Sequence, residues 1–291
     1  YMLAVPANIA GVPRICITTP PLPDGSVDPA CLYAAELCGV TEVYRVGGAQ
    51  AIAALTYGTE SIPSVTKIVG PGSVYVTAAK RVVYGDIDVG LPAGPSESVV
   101  LADDYASVWK VALDLTIEAE HGEDSQALLV TPSAALAQNV ADTLEELIRE
   151  LPEPRRTFVR TVFEQYGGII VTESMKQAID VVNQVAPEHL SIQTSEPCEQ
   201  LSAITNAGEI LLGQHTSFSL ANYVAGANAV LPTGGNARTY SPVSVRDFSK
   251  YSSVVYATNN ALEETSEAVV TLADYEGFPA HARAIRKRTG G

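Results

Sequence analysis

Two short stretches carry side chains whose types and spacing could do chemistry. The first, Ile117 to Gln126, closes a segment in which Val108, Val111, Leu115 and Ala119 recur at helical spacing. Glu118 and His121 lie three residues apart there, so they share one face of the last turn. A carboxylate and an imidazole on one face make half of a divalent metal site. Taken alone, that face reads more readily as a solvated one, because Lys110, Asp114 and Glu118 also line up. Gly122 is expected to stop the helix in a left-handed conformation. The second stretch, Val185 to Leu190, sets Glu188 beside His189 in a proline turn ahead of a strand. Histidine titrates near neutrality and a neighbouring carboxylate tunes it, which suits proton transfer. A purely structural Glu–His pair is the competing reading. His215 lies in Gly213-Gln214-His215-Thr216 without a sequence partner and reads as a loop residue. His281, early in the last helix, would pass for a surface residue.

The surrounding pattern alternates strand and helix. Arg14–Thr19, Glu42–Val46 and Thr66–Val69 read as strands, with helices over about 28–37, from Gly48 through Leu55, and to about Val83. Such alternation implies an α/β protein with a mostly parallel, doubly wound sheet. Gly47-Gly48-Ala49-Gln50 and Gly70-Pro71-Gly72-Ser73 are glycine-rich turns into helices, where a phosphate can meet backbone N–H groups. Neither carries the full dinucleotide fingerprint, and a tight turn without ligand explains them equally well. A domain boundary is placed at Pro92–Glu97, followed by strands near Ser98–Ala102, Ala127–Val130, Gly168–Val171, Leu190–Gln193 and Glu209–Leu212. The domains are therefore 1–97, 98–243 and a tail, 244–291, in which Tyr251–Tyr256 reads as a short strand and Ala261–Lys287 as two helices. A tail this thin should pack on another surface, such as a partner subunit.

Composition excludes several classes. The 291 residues carry 33 acidic against 18 basic groups, a formal charge of −15, which argues against a nucleic-acid or anionic-membrane surface. No apolar run is long enough to span a bilayer. Cys16, Cys31, Cys38 and Cys198 lack zinc-type spacing. Three sit in apolar segments, so reduced, buried thiols and a cytoplasmic location are expected. The opening residues lack the features of a secretion signal and read as mid-element, so the chain is expected to begin partway through a longer parent.

Taken together, these segments resemble the histidinol dehydrogenase family. The motifs are Gly47 to Ala53, Pro92 to Glu97, Ala119-Glu120-His121-Gly122 with Asp124-Ser125-Gln126, and Ala186 to Leu190. Asn222-Tyr223, Gly226 and Val230-Leu231-Pro232-Thr233 also fit, and order and spacing agree over nearly the whole chain. The resemblance implies two incomplete Rossmann-like doubly wound units, 1–97 on the NAD side and 98–243 with the metal and acid–base residues. A small, mostly helical tail would be exchanged in a homodimer. It also implies a zinc- and NAD-dependent oxidation of a small amino alcohol, through the aldehyde, to the carboxylate. By motif position, His189 would be the general base and Glu188 would activate water. Gln50 and Ser73 would contact the cofactor, and Ser96 and Glu276 the substrate. Zinc would sit among Glu118, His121, Asn222 and His281, the last donated by the partner subunit.

The sequence departs from the family pattern at five places. Family members usually carry Gln at Glu118, Asp at Asn222 and Asn at Ser73. The exchange at Glu118 and Asn222 moves one carboxylate across the ion and keeps the ligand charge, so a retained metal is expected. On the substrate side, Ala229 replaces a His and Phe218 an acidic residue. Neither can hydrogen-bond an imidazole, so a non-imidazole alcohol, such as a sulfonated diol, is the alternative substrate. A non-catalytic relative is the remaining reading.

Overall fold

The structure, a computed structural model, describes residues 1–290. The chain forms two compact units, Tyr1–Ser249 and the residues from Lys250 onward.

The first unit opens with α1 (Ala4–Ile9), β1 (Cys16–Thr18), α2 (Pro29–Leu37), β2 (Glu42–Tyr44), α3 (Gly48–Tyr57) and α4 (Val74–Val82). Asp28 caps α2 by accepting from Ala30 N at 2.8 Å, with Pro29 at the first helical position. β1 and β2 pair in parallel, Ile17 opposite Val43. The strand expected at Thr66–Val69 is reduced to one bridge, Lys67 to Asp88. Its Ile68 serves a small core with Ile52, Leu55 and Val89 rather than a third ladder. Buried Lys80 donates to Gly70 O at 2.7 Å and so ties α4 to the glycine-rich turn before it. Burial without a counter-charge lowers that ammonium to about 8.

The rest of the first unit is built on β3 (Glu97–Ala102), α5 (Val108–Ala119), β4 (Gln126–Thr131), α6 (Ala134–Glu150), α7 (Arg155–Gln165) and β5 (Gly168–Val171). It continues with α8 (Met175–Val185), β6 (His189–Gln193), α9 (Pro197–Leu201), β7 (Glu209–Leu212) and α10 (Phe218–Tyr223). The sheet order is β5-β4-β3-β6-β7, all parallel. Central β3 shows why: Val100 and Ala102 face a core with Val111 and Leu115 of α5, while Val99 and Leu101 face Ala178 and Val182 of α8. A strand covered on both faces reads as a continuous apolar run. Chain order reverses between β3 and β6, where the carboxyl ends of strands usually open a crevice. Here protein closes that edge: Asp103 accepts from Ser195 N and Oγ at 2.9 and 3.0 Å, and Ser107 N donates to Gln214 at 2.7 Å.

α5 forms as its periodicity predicts, but it ends differently. Glu120 caps it in a right-handed conformation, and Gly122 does not have positive φ. A Cβ on Gly122 would lie 2.9 Å from Asp124 Oδ1, so that exposed side chain would have to move aside. The second unit consists of α11 (Asn259–Tyr275) and α12 (Pro279–Arg286), broken at Gly277 and joined by an Arg286–Asp274 pair at 2.5 Å. Tyr251–Tyr256 is not a strand, for a lone β-prone segment without a pairing partner has no ladder to join. Of the four cysteines only Cys38 is buried; Cys16 and Cys31 are half-buried and Cys198 is exposed. No helix among the described residues is long and apolar enough to cross a membrane.

Candidate active site

Strand register fixes the centre. Ser98 lies opposite His189, and His189 opposite Glu209, so the amino ends of β3, β6 and β7 stand side by side. Ser96 and Glu97 enter at β3, Glu188 at β6, and the turn after α5 leads into β4. The approach to Glu188 is strained. Ala186 ends α8 with φ 53°, the one non-glycine positive φ among the described residues. That conformation costs a residue with a Cβ about 1–2 kcal/mol. Gly208 N donates to Pro187 O at 2.9 Å, and a Cβ on Gly208 would lie 2.6 Å from Glu188 O. Only glycine lets the chain before β7 approach so closely.

His189 is enclosed, 3% exposed. Its Nδ1 lies 3.0 Å from Glu209 Oε2, and its Nε2 lies 3.9 Å from Glu188 Oε1. The edge of the Phe218 ring packs on the imidazole at 5.7 Å between centroids. Burial opposes the imidazolium, but the Glu209 hydrogen bond and the charges of Glu188 and Glu118 outweigh it, so its pKa is raised. Glu188 is held by Glu97 N, which donates to its Oε2 at 2.9 Å. Burial pushes that carboxyl up to about 8, against the opposing pull of His189. Glu97 is itself buried enough to be raised, and its Oε1 accepts from Gly234 N at 2.7 Å.

Three of the four residues expected to hold zinc converge beside this pair. Asn222 Nδ2 donates to Glu118 Oε1 at 2.8 Å, and His121 Nε2 lies 3.6 Å from Glu118 Oε2. Glu118 is 1% exposed. Asn222 Oδ1 is buried without a hydrogen-bond partner. A buried carboxylate, an imidazole nitrogen and an unspent amide oxygen are donors that zinc accepts, so the residues present fit the ion. No cage of three His, Cys, Asp or Glu side chains exists among the described residues; two such side chains and one amide meet here. His281, the fourth, lies on α12 in the second unit, packed on Phe278 at 5.3 Å.

The other expected residues are dispersed. Ser96 joins the centre, its Oγ 3.2 Å from His121 Nδ1. Phe218, expected at the substrate, is fully buried and packs against the His189 imidazole. Ala229 is half-buried in the irregular chain after α10. Gln50 is exposed near the start of α3, and Ser73 stands at the N-cap position of α4 without a side-chain capping bond; neither bonds to the Glu188–His189 group among the described residues. Glu276 ends α11. Sequence reasoning missed Glu209 and assigned no role to Glu97. A charged residue opening the apolar strand Glu209–Leu212 was the available signal.

The family described as histidinol dehydrogenase matches residues 1–289. The histidinol dehydrogenase of Synechocystis sp. is 53% identical over 99% of this chain and 66% of its own length. A histidinol dehydrogenase homolog of Rhizobium meliloti is 52% identical over 98% of this chain and 62% of its own. The chain thus spans about two thirds of the curated relatives it matches. The crystal structure of histidinol dehydrogenase from Elizabethkingia anophelis superposes with a TM-score of 0.93 at 38% identity, covering 99% of this chain and 66% of that one. On sequence and fold together, the chain belongs to the histidinol dehydrogenase family.

Proposed function

We propose that this protein is a zinc- and NAD-dependent dehydrogenase that oxidises a small amino alcohol, through the aldehyde, to the carboxylate, as histidinol to histidine. The observation that carries the reading is the enclosed Glu188–His189 pair beside Glu118, His121 and Asn222. Bound zinc would polarise the alcohol oxygen and bound NAD would take the hydride at each oxidation. His189 accepts the alcohol proton at Nε2, and later the proton of the aldehyde hydrate. Glu188 takes the proton of the water that adds to the aldehyde, while Glu97 N fixes its orientation. Glu118, His121 and Asn222 would hold the metal, with His281 as the expected fourth ligand. Gln50 and Ser73 are proposed for the cofactor, and Ser96, Ala229 and Glu276 for the substrate. The working form is proposed to be a homodimer with exchanged tails, in the cytoplasm.

A second substrate reading has its own support: Phe218 and Ala229 offer no hydrogen bond to an imidazole. NADH formation on histidinol and on diols lacking an imidazole separates the two. Faster turnover of a sulfonated diol would replace histidinol as the substrate. Failure of every alcohol with zinc bound would overturn the dehydrogenase reading itself.

A further inference from the structure

We propose that Glu209 is a positioning residue for His189. Its carboxylate holds the imidazole with the proton on Nδ1 and leaves Nε2 as the proton acceptor that faces the site. The direction of proton transfer rests on the dehydrogenase reading; the tautomer rests on geometry alone.

Glu209 Oε2 lies 3.0 Å from His189 Nδ1, and the two side chains are 7% and 3% exposed. With Glu209 as the acceptor of this contact, the shared proton sits on Nδ1. The other ring nitrogen is then the unprotonated one. It lies 3.9 Å from Glu188 Oε1, beyond hydrogen-bonding distance, and is left available. Nothing competes for Glu209, since its Oε1 is buried without a partner. The contact is also held at the backbone, because β6 and β7 pair in register with His189 opposite Glu209, and Glu209 N donates to Glu188 O at 2.9 Å. Phe218 packs its ring edge on the imidazole and resists a ring flip.

The charged groups facing the ring are Glu188 from the turn before β6, Glu118 from α5 and Glu209 from β7. Among the described residues only Glu209 hydrogen-bonds to it. In the proposed oxidation, the alcohol O–H proton would move to Nε2, the carbinol hydride would pass with its electron pair to bound NAD, and the C=O bond would form. The imidazolium so created keeps its Nδ1 proton against Glu209. A buried carboxylate that fixes the tautomer of a base can matter by orders of magnitude in turnover.

The test uses two variants and two readouts. Selective 15N-histidine labelling leaves four histidines to distinguish, and His189→Asn assigns the signal. At alkaline pH, where His189 is neutral, the unmodified protein should give the Nδ1–H pattern in long-range 1H–15N spectra. Glu209→Leu, which keeps bulk but cannot accept, should lose that pattern and lower kcat at least a hundredfold. Glu209→Gln should lower kcat about tenfold, with zinc content and KM for NAD changed less than threefold in both. An Nε2–H pattern in the unmodified protein overturns the proposal, as does kcat within twofold in both variants. If Glu209→Leu does not fold, Glu209→Gln, of equal size, decides the kinetic arm. If the unmodified protein oxidises no alcohol, the dehydrogenase reading falls, and the spectra still decide the tautomer.

Discussion

Asp114 makes the sharpest test of the structure. It is 6% exposed on α5, one turn before Glu118, and accepts from Gln193 Nε2 at 2.7 Å. Burial pushes its carboxyl from 3.8 to about 7, against the opposing pull of Gln193. The same Gln193 has a buried Oε1 with no donor. A protonated Asp114 can supply that donor; a carboxylate cannot. Because the folded pKa lies above the unfolded one, the contribution is complete below about 4 and is lost as pH rises through about 7. The full loss is up to about 4 kcal/mol. Asn at this position is isosteric, never ionises, and offers Gln193 both a donor and an acceptor. Asp114→Asn should therefore stay within about 1 kcal/mol of the parent near pH 4.5 and exceed it by about 2–4 kcal/mol at pH 8.5. In thermal unfolding that is a Tm higher by roughly 5–10 °C at alkaline pH only. Glu188 and His189 titrate in both proteins, so the difference between them isolates Asp114. Equal pH slopes in parent and variant, or a variant less stable at both pH values, would refute the reasoning.

Three further outcomes are expected. On the proposed reading, His189→Asn should leave metal content unchanged and lower turnover by roughly two to four orders of magnitude, measured as NADH formation. Glu188→Gln should depress aldehyde oxidation more than alcohol oxidation, because only the former needs an activated water; equal losses would exclude that role. Gly208→Ala should lower both stability and activity, since its Cβ has to displace Glu188 O, now 2.6 Å away; differential scanning calorimetry and a turnover assay together check it.

What the sequence made legible was local. The periodicity of Val111 and Leu115 announced α5, and three-residue spacing put Glu118 and His121 on one face. Asp28 and Gly39 marked both ends of α2, the latter at φ 67°. What remained hidden depends on register between distant segments. Glu209 meets His189 only because β6 and β7 align at those positions, and no local pattern records that alignment. Asn222 reaches Glu118 across 104 residues of chain, which motif matching suggested and spacing could not. The failures have the same origin. Thr66–Val69 and Tyr251–Tyr256 have strand-like composition, but a strand exists only where a neighbour supplies the ladder.

The placement of the site at the amino edge of the sheet has an electrostatic consequence. In a parallel α/β unit the helices run against the strands, so they end where the strands begin. α5 terminates beside Glu118 and His121, and α8 terminates at Ala186, two residues before Glu188. Each helix end presents free carbonyls worth about half a negative charge. The edge is thus a field that draws in a dication or an ammonium group and resists anions. On the proposed reading, a substrate arriving as a cationic amino alcohol would gain from that field, and a product leaving with a new carboxylate would be repelled by it. The same backbone that would help seat a metal would then help eject the acid.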